Sequence, residues 1–221
     1  GLINSSQYGL PVFYKFPFHL YKKEKWDVEH IDSNTTNKLD KLEDQKQWLR
    51  DVVNNDIAQE ILTDQDLLKK ISEFEKANKA EGAFNELWKE VYKSIESIER
   101  DNEKLGDDEK NQIWNFCLLN ASTNRSYGNA IFPVKRQTII NKDQGINDDQ
   151  QDDNQTDKKQ TSKKNVIAFV PPVTKNVFLK YYTKSNVQFR NWSRSDAAAY
   201  RDNICETLQK FGVKKDENDI K

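Results

Sequence analysis

Two side chains able to do acid–base and metal chemistry stand next to each other in the run Trp26-Asp27-Val28-Glu29-His30-Ile31. A neutral imidazole, with an ordinary pKa of about 6.5, accepts a proton near neutral pH, and general-base help of that kind is worth roughly 10²–10⁴-fold in rate. A carboxylate beside it can hold a hard divalent cation. The pair therefore suggests His30 as a general base and Glu29 as a metal ligand in a nuclease. The plainer alternative is the end of a strand carrying two solvated polar groups. Successive strand residues face opposite ways, so the two serve one site only if the chain bends there, which the polar run from Asp32 to Asn37 allows.

The elements that must position this pair are legible in the hydrophobic pattern. Trp26 and Val28 alternate with Asp27 and Glu29, which predicts a strand over Trp26–Ile31. Ile113–Leu119 reads as a second, mostly apolar and buried strand in which Asn115 is the odd residue. A buried amide left without partners costs roughly 1–3 kcal/mol, so Asn115 bonds either to backbone or to the His30 ring, which it would then orient. Asn120–Asn129 predicts a short helix with a Gly128-Asn129 stop. Asn124 lies inside it, although asparagine is a mediocre helix former. Pro133 suits a first helical turn, and the cations Lys135 and Arg136 follow it.

Between the two strands, apolar residues recur at three- and four-residue steps: Leu39 to Ile57, Leu67 to Phe74, and Phe84 to Ile98. This is the signature of amphipathic helices, with Thr63 and Asp66 spaced as a capping box. Residues 38–105 are expected to be a helical insertion between two halves of a site, ended by Gly106-Asp107-Asp108, within a unit spanning 1–140. Residues 141–165 carry one large apolar residue, Ile146, and predict a mobile polar loop. The Asp-rich half of that loop lacks the glycine and glutamate spacing of an EF-hand. Residues 166–221 predict a strand, Val166–Val170, and a final helix opened by Ser193 and Asp196, packing back on the core. At the other end, residues 11–21 are aromatic-rich and read as an extended segment with Pro17 at a bend and His19 as a structural or surface residue.

Composition narrows the classes. The chain has 221 residues, 32% charged and 35% hydrophobic, a soluble, cytoplasm-like balance, and no apolar run approaches the roughly 20 residues of a membrane helix. It has no signal-peptide pattern and no methionine, and reads as a piece of a longer polypeptide. Cys117 and Cys205 are the only cysteines, too few for a structural zinc site, and are expected as buried free thiols. The net charge of −1 is segregated: Gln112–Lys142 has no acidic residue, and Val166–Val213 has seven basic residues against three acidic. Such segments would attract a polyanion.

With Glu29-His30 before it, the pattern Ile113-x-Asn115 with Asn124 nine residues later, followed by Arg125, resembles the HNH group of His-metal-finger nucleases. The wider run Trp26–Ile31, Ile113-x-Asn115-x-x-Leu118-Leu119, Asn124, Asn129, Phe132 and Lys135-Arg136 resembles, more narrowly, the C-terminal nuclease domain of GmrSD-type modification-dependent restriction enzymes. The resemblance spans about residues 16–140 in pieces, plus the helix at Trp192-Ser193. It implies an α+β fold, a ββα-metal core with a long helical insertion and additional C-terminal helices. It implies His30 activating water, Asn115 positioning His30, Glu29 and Asn124 holding Mg²⁺ or Mn²⁺, and Arg125, Lys135 and Arg136 contacting nucleic acid. The partner would be DNA, with or without base modification, and a nucleotide-hydrolysing N-terminal domain absent from this chain. A non-cleaving nucleic-acid-binding module with the same fold, or a purely helical scaffold built on residues 38–105, are the competing expectations.

Overall fold

The alternation at Trp26–Ile31 does form a strand, β1 (Asp27–His30), and it pairs antiparallel with β2 (Phe116–Leu119). The computed structural model describes residues 18–33, 39–77, 83–96, 103–120, 129–146, 169–184 and 187–212. Among these, β1 and β2 form a two-stranded sheet and the rest of the regular structure is helical: α1 (Phe18–Lys23), α2 (Leu42–Val53), α3 (Asp56–Ile61), α4 (Gln65–Lys76), α5 (Ala83–Glu96), α6 (Asp107–Lys110), α7 (Phe132–Asp143), α8 (Pro172–Phe178) and α9 (Arg194–Lys210). The protein is α-rich with a small antiparallel sheet. No helix among the described residues is long and apolar enough to cross a membrane.

The register sets Glu29 opposite Cys117 and His30 opposite Phe116. Glu29, Cys117 and Leu119 are buried while His30, Phe116 and Leu118 are half-exposed, so one face of the ribbon is covered and the other borders solvent. Trp26, just before β1, is buried between Tyr21 of α1, edge-on at 6.2 Å, and Phe169, stacked at 5.6 Å.

The region between the strands is helical as its periodicity predicts. Buried stripes of α2 (Trp48, Leu49, Val52), α4 (Leu67, Ile71, Phe74) and α5 (Phe84, Leu87, Val91, Ile95) form one core that also takes in Ile31, Ile139, Val177 and Phe178. Burying a large apolar side chain stabilises by roughly 1.5–3 kcal/mol, which holds these short helices in place. The insertion grips the chain leading into α7. Trp48 Nε1 and Tyr92 OH donate to the Asn129 carbonyl at 2.9 and 3.2 Å, and Asn55 Nδ2 donates to the Pro133 carbonyl at 3.2 Å; Ser33, ahead of the insertion, adds a bond from its Oγ to the Ala130 carbonyl at 2.9 Å.

Several local expectations are corrected. Ile113–Asn115 is a 3-10 turn, and the strand begins only at Phe116, because the Asn115 N–H closes a turn onto the Gln112 carbonyl at 2.8 Å. Helix α4 is capped by Asp64, whose carboxylate takes the N–H groups of Asp66 and Leu67, and not by Thr63. Gly106 opens α6 as well as following the insertion. Phe18–Lys23 is helical where an extended segment was expected, and α7 runs through Asp143 into the segment expected to be a loop. Residues 147–168 of that loop and of the strand at 166–170 lie outside the described residues, and Phe169-Val170 are in no strand. The Ser193–Asp196 capping box is present, with Asp196 N–H donating to Ser193 Oγ at 3.3 Å and Ser193 N–H to Asp196 Oδ2 at 2.9 Å.

Both cysteines are free, but only Cys117 is fully buried; Cys205 is half-exposed. Burial pushes the Cys117 thiol up to about 12, with Lys135 nearby pulling it down and Glu29 pushing it further up. In the native protein at pH 8, iodoacetamide is expected to label Cys205 and to spare Cys117 until urea unfolds the chain. Because the folded pKa is raised, the contribution of the neutral thiol is complete below pH 9 and is lost as pH climbs toward about 12. Cys117→Ala should therefore flatten the alkaline fall in stability measured by urea titration over that window.

Candidate functional site

Lys135 is the residue from which the site is built. It is the fourth residue of α7, one side of which packs against α8 and α3, and its side chain is 0% exposed. A buried ammonium must be paired and hydrogen-bonded, since the desolvation penalty is several kcal/mol. Its Nζ donates to Glu29 Oε1 at 3.2 Å and to the His30 carbonyl at 2.6 Å. The covered face of β1 thus rests on a cation, and Glu29, 9% exposed, is fixed as its counter-ion. The expected phosphate contact from Lys135 is corrected: solvent does not reach its ammonium, and a lysine following a helix-opening proline gave no sign that it points inward.

Asn115 is wholly buried, and its amide serves backbone. Oδ1 accepts from the Asp32 N–H at 2.8 Å, and Nδ2 donates to the carbonyls of Asp32 at 3.1 Å and Lys110 at 2.8 Å. With the Ile31 N–H on the Asn115 carbonyl at 2.8 Å, this clamp joins the chain leaving β1 to the turn entering β2. The expected bond from Asn115 to the imidazole is corrected: the ring is held by Asn111, whose Oδ1 lies 3.1 Å from His30 Nε2. The Phe116 ring meets the imidazole edge-on at 4.8 Å. Asn111 went unnoticed in the sequence because it lies in a polar run where any residue reads as solvated.

The bend expected to bring Glu29 and His30 to one side begins at Ile31 and Asp32, after both residues. The carboxylate therefore points to the Cys117–Lys135 face and the imidazole to the Phe116–Asn111 face, and what they share is the rim where β1 ends. Arg136, next along α7, turns away from Lys135 and stacks its guanidinium 4.0 Å over the Phe189 ring. Burial lowers its pKa, and its buried Nε has no hydrogen-bond partner. Asn124 and Arg125 lie outside the described residues.

For a divalent cation, the described residues contain no group of three or more His, Cys, Asp or Glu side chains. The carboxylate beside His30 in the sequence, Glu29, is anchored by Lys135. That fits a hard cation that takes few protein ligands and keeps its waters, and ligating carboxylates are commonly held by a second hydrogen-bond partner, the place Lys135 occupies. The large open groove of about 1120 Å³ lies elsewhere, along α9 and residues 180–191, and includes neither Glu29 nor His30. Under its wall the Asp196 carboxylate takes Lys180 Nζ at 2.6 Å and Thr183 Oγ1 at 2.7 Å, a pair that ties α9 to the end of α8.

Breaking one half of the Lys135–Glu29 pair should strand the other. Lys135→Met is expected to cost about 3–5 kcal/mol by urea unfolding, and adding Glu29→Gln should recover a good part of it. Equal stability of the single variant and the parent would show that the pair does not hold α7 on β1. Asn115→Ala, which leaves three backbone groups unpaired, should cost about 2–4 kcal/mol by the same measurement.

Comparison with protein-family models, curated proteins and solved structures finds no match to the chain.

Proposed function

We propose that this chain carries a metal-dependent endonuclease site of the HNH, His-metal-finger type that hydrolyses phosphodiester bonds in DNA. The observation that carries the reading is the rim of β1. There a half-exposed imidazole, held on one nitrogen, and a carboxylate anchored by a wholly buried lysine leave consecutive residues on opposite faces of the strand and share the rim where it ends. A two-stranded ribbon clamped by a buried asparagine and backed by α7 supports the finer description, a ββα-metal core with a helical insertion.

In this reading His30 accepts a proton from a water whose oxygen forms the new bond to phosphorus, while the bond from phosphorus to the leaving oxygen breaks. That oxygen takes its proton from solvent. Glu29 would hold the cation together with Asn124, and Mg²⁺ or Mn²⁺, when bound, neutralises charge on the phosphate and the leaving group. Lys135 keeps Glu29 in place and keeps the strand backbone at His30 from shifting. Arg136, stacked on Phe189, and Arg125 would meet the phosphate backbone, the acid-free span around them favouring a polyanion. The chain would be the nuclease part of a cytoplasmic restriction or phage-defence protein, with base sensing and nucleotide hydrolysis in a further domain.

One observation favours a second reading, a non-cleaving nucleic-acid-binding module: Lys135 already balances the charge of Glu29 without a cation. A plasmid-nicking assay with Mg²⁺ or Mn²⁺ separates the two. Cleavage should depend on the ion, and His30→Ala should lower it at least about 100-fold with circular dichroism unchanged. Undiminished nicking by His30→Ala refutes the endonuclease site, and no cleavage with either ion, together with retained DNA binding, selects the module.

A further inference from the structure

We infer that Asn111 is a positioning residue for His30, holding the imidazole in its Nε2–H form so that Nδ1 is the atom left to accept a proton. The functional half of this statement rests on the reading of His30 as a general base; the structural half does not.

A neutral imidazole has one N–H and one lone-pair nitrogen. The atom 3.1 Å from Nε2 is the Asn111 side-chain oxygen, which only accepts, so Nε2 must donate and Nδ1 must carry the lone pair. Among the described residues no group bonds Nδ1. A half-turn of the ring about its second torsion would set Cε1 against the Asn111 oxygen and break the bond, so the contact selects one ring orientation. Phe116, edge-on at 4.8 Å, restricts the other torsion.

An exposed hydrogen bond is weak when its partners must be ordered to make it. Here the ordering is done by neighbours. Asn111 ends α6, with its N–H on the Glu109 carbonyl. Glu109 Oε2 takes the Gly106 N–H at 2.8 Å and Arg194 Nη2 at 2.7 Å. The Lys110 carbonyl, immediately before Asn111, is held by Asn115 Nδ2 at 2.8 Å, and the Gln112 carbonyl, immediately after it, accepts the Asn115 N–H at 2.8 Å. The backbone flanking Asn111 is pinned to α9 through Glu109 and to Asn115 on both sides, so its amide meets the imidazole with little left to order.

The test is long-range ¹H–¹⁵N imidazole spectroscopy on the whole chain at about pH 8. The chain has two histidines, and the exposed His19 is an internal reference. The expected result is a His30 ratio of Nε2–H to Nδ1–H several-fold above that of His19. Asn111→Ala should bring it down to the His19 value, and Asn111→Asp, which keeps only an acceptor, should preserve it. An Nδ1–H form at His30, or a ratio unmoved by Asn111→Ala, overturns the inference. No substrate or metal is needed, so a failure here is separate from a failure to cleave DNA. Where cleavage is observed, Asn111→Ala should lower kcat about tenfold and leave KM unchanged, with activity retained in Asn111→Asp; a rise in KM alone counts against positioning.

Discussion

An ammonium group with no access to water has to be satisfied where it lies, and the position of Lys135 is therefore the constraint that organises this protein. Two of its partners, the Glu29 carboxylate and the His30 carbonyl, come from consecutive residues of β1. Helix α7 cannot slide or rotate against the ribbon without exposing a charge to an apolar interior, where the penalty is several kcal/mol. The insertion follows from the same constraint. Its side chains hold the backbone from Asn129 to Pro133, and that backbone sets where α7 starts and thus where Lys135 arrives. Among the described residues the four helices of the insertion, α2 to α5, lie between the strands in sequence, yet they bear on the site by fixing the entry to one helix.

Two asparagines four residues apart divide the remaining work. Asn115 is buried and spends its amide on the backbone of Asp32 and Lys110, joining segments 83 residues apart. Asn111 is exposed and meets a side chain. A buried amide gains most where it relieves backbone groups that water cannot reach. An exposed one competes with water and is useful only where its flanks are rigid, which α6, Arg194 and the Asn115 clamp provide.

Charge in the sequence and charge on the surface are different quantities in this protein. The span Gln112–Lys142 has no acid, but Lys135 is consumed inside by Glu29, and the Arg136 guanidinium carbon sits 4.0 Å over the Phe189 ring. In the C-terminal part Lys180 is consumed by Asp196, and Arg194 by Glu109. A basic run overstates the field a polyanion would meet whenever its members are paired with carboxylates or packed on rings of the same chain.

What the sequence determined by itself is the local order. Alternation at Trp26–Ile31 and the apolar run at Phe116–Leu119 mark the strands, three- and four-residue spacing marks the helices of the insertion, and Ser193 with Asp196 marks the start of α9, because these depend on neighbours a few residues away. Even there the boundaries moved where a side chain reached the backbone, at Asp64 and at Asn115. The sequence also singled out Glu29, His30 and Asn115 as a group. The tertiary structure decided which partner each one takes: Lys135 is 106 residues from Glu29, and Asn111 is 81 residues from His30. No periodicity encodes such a pairing, since it depends on whether a long-range contact removes water from one atom and not from the next.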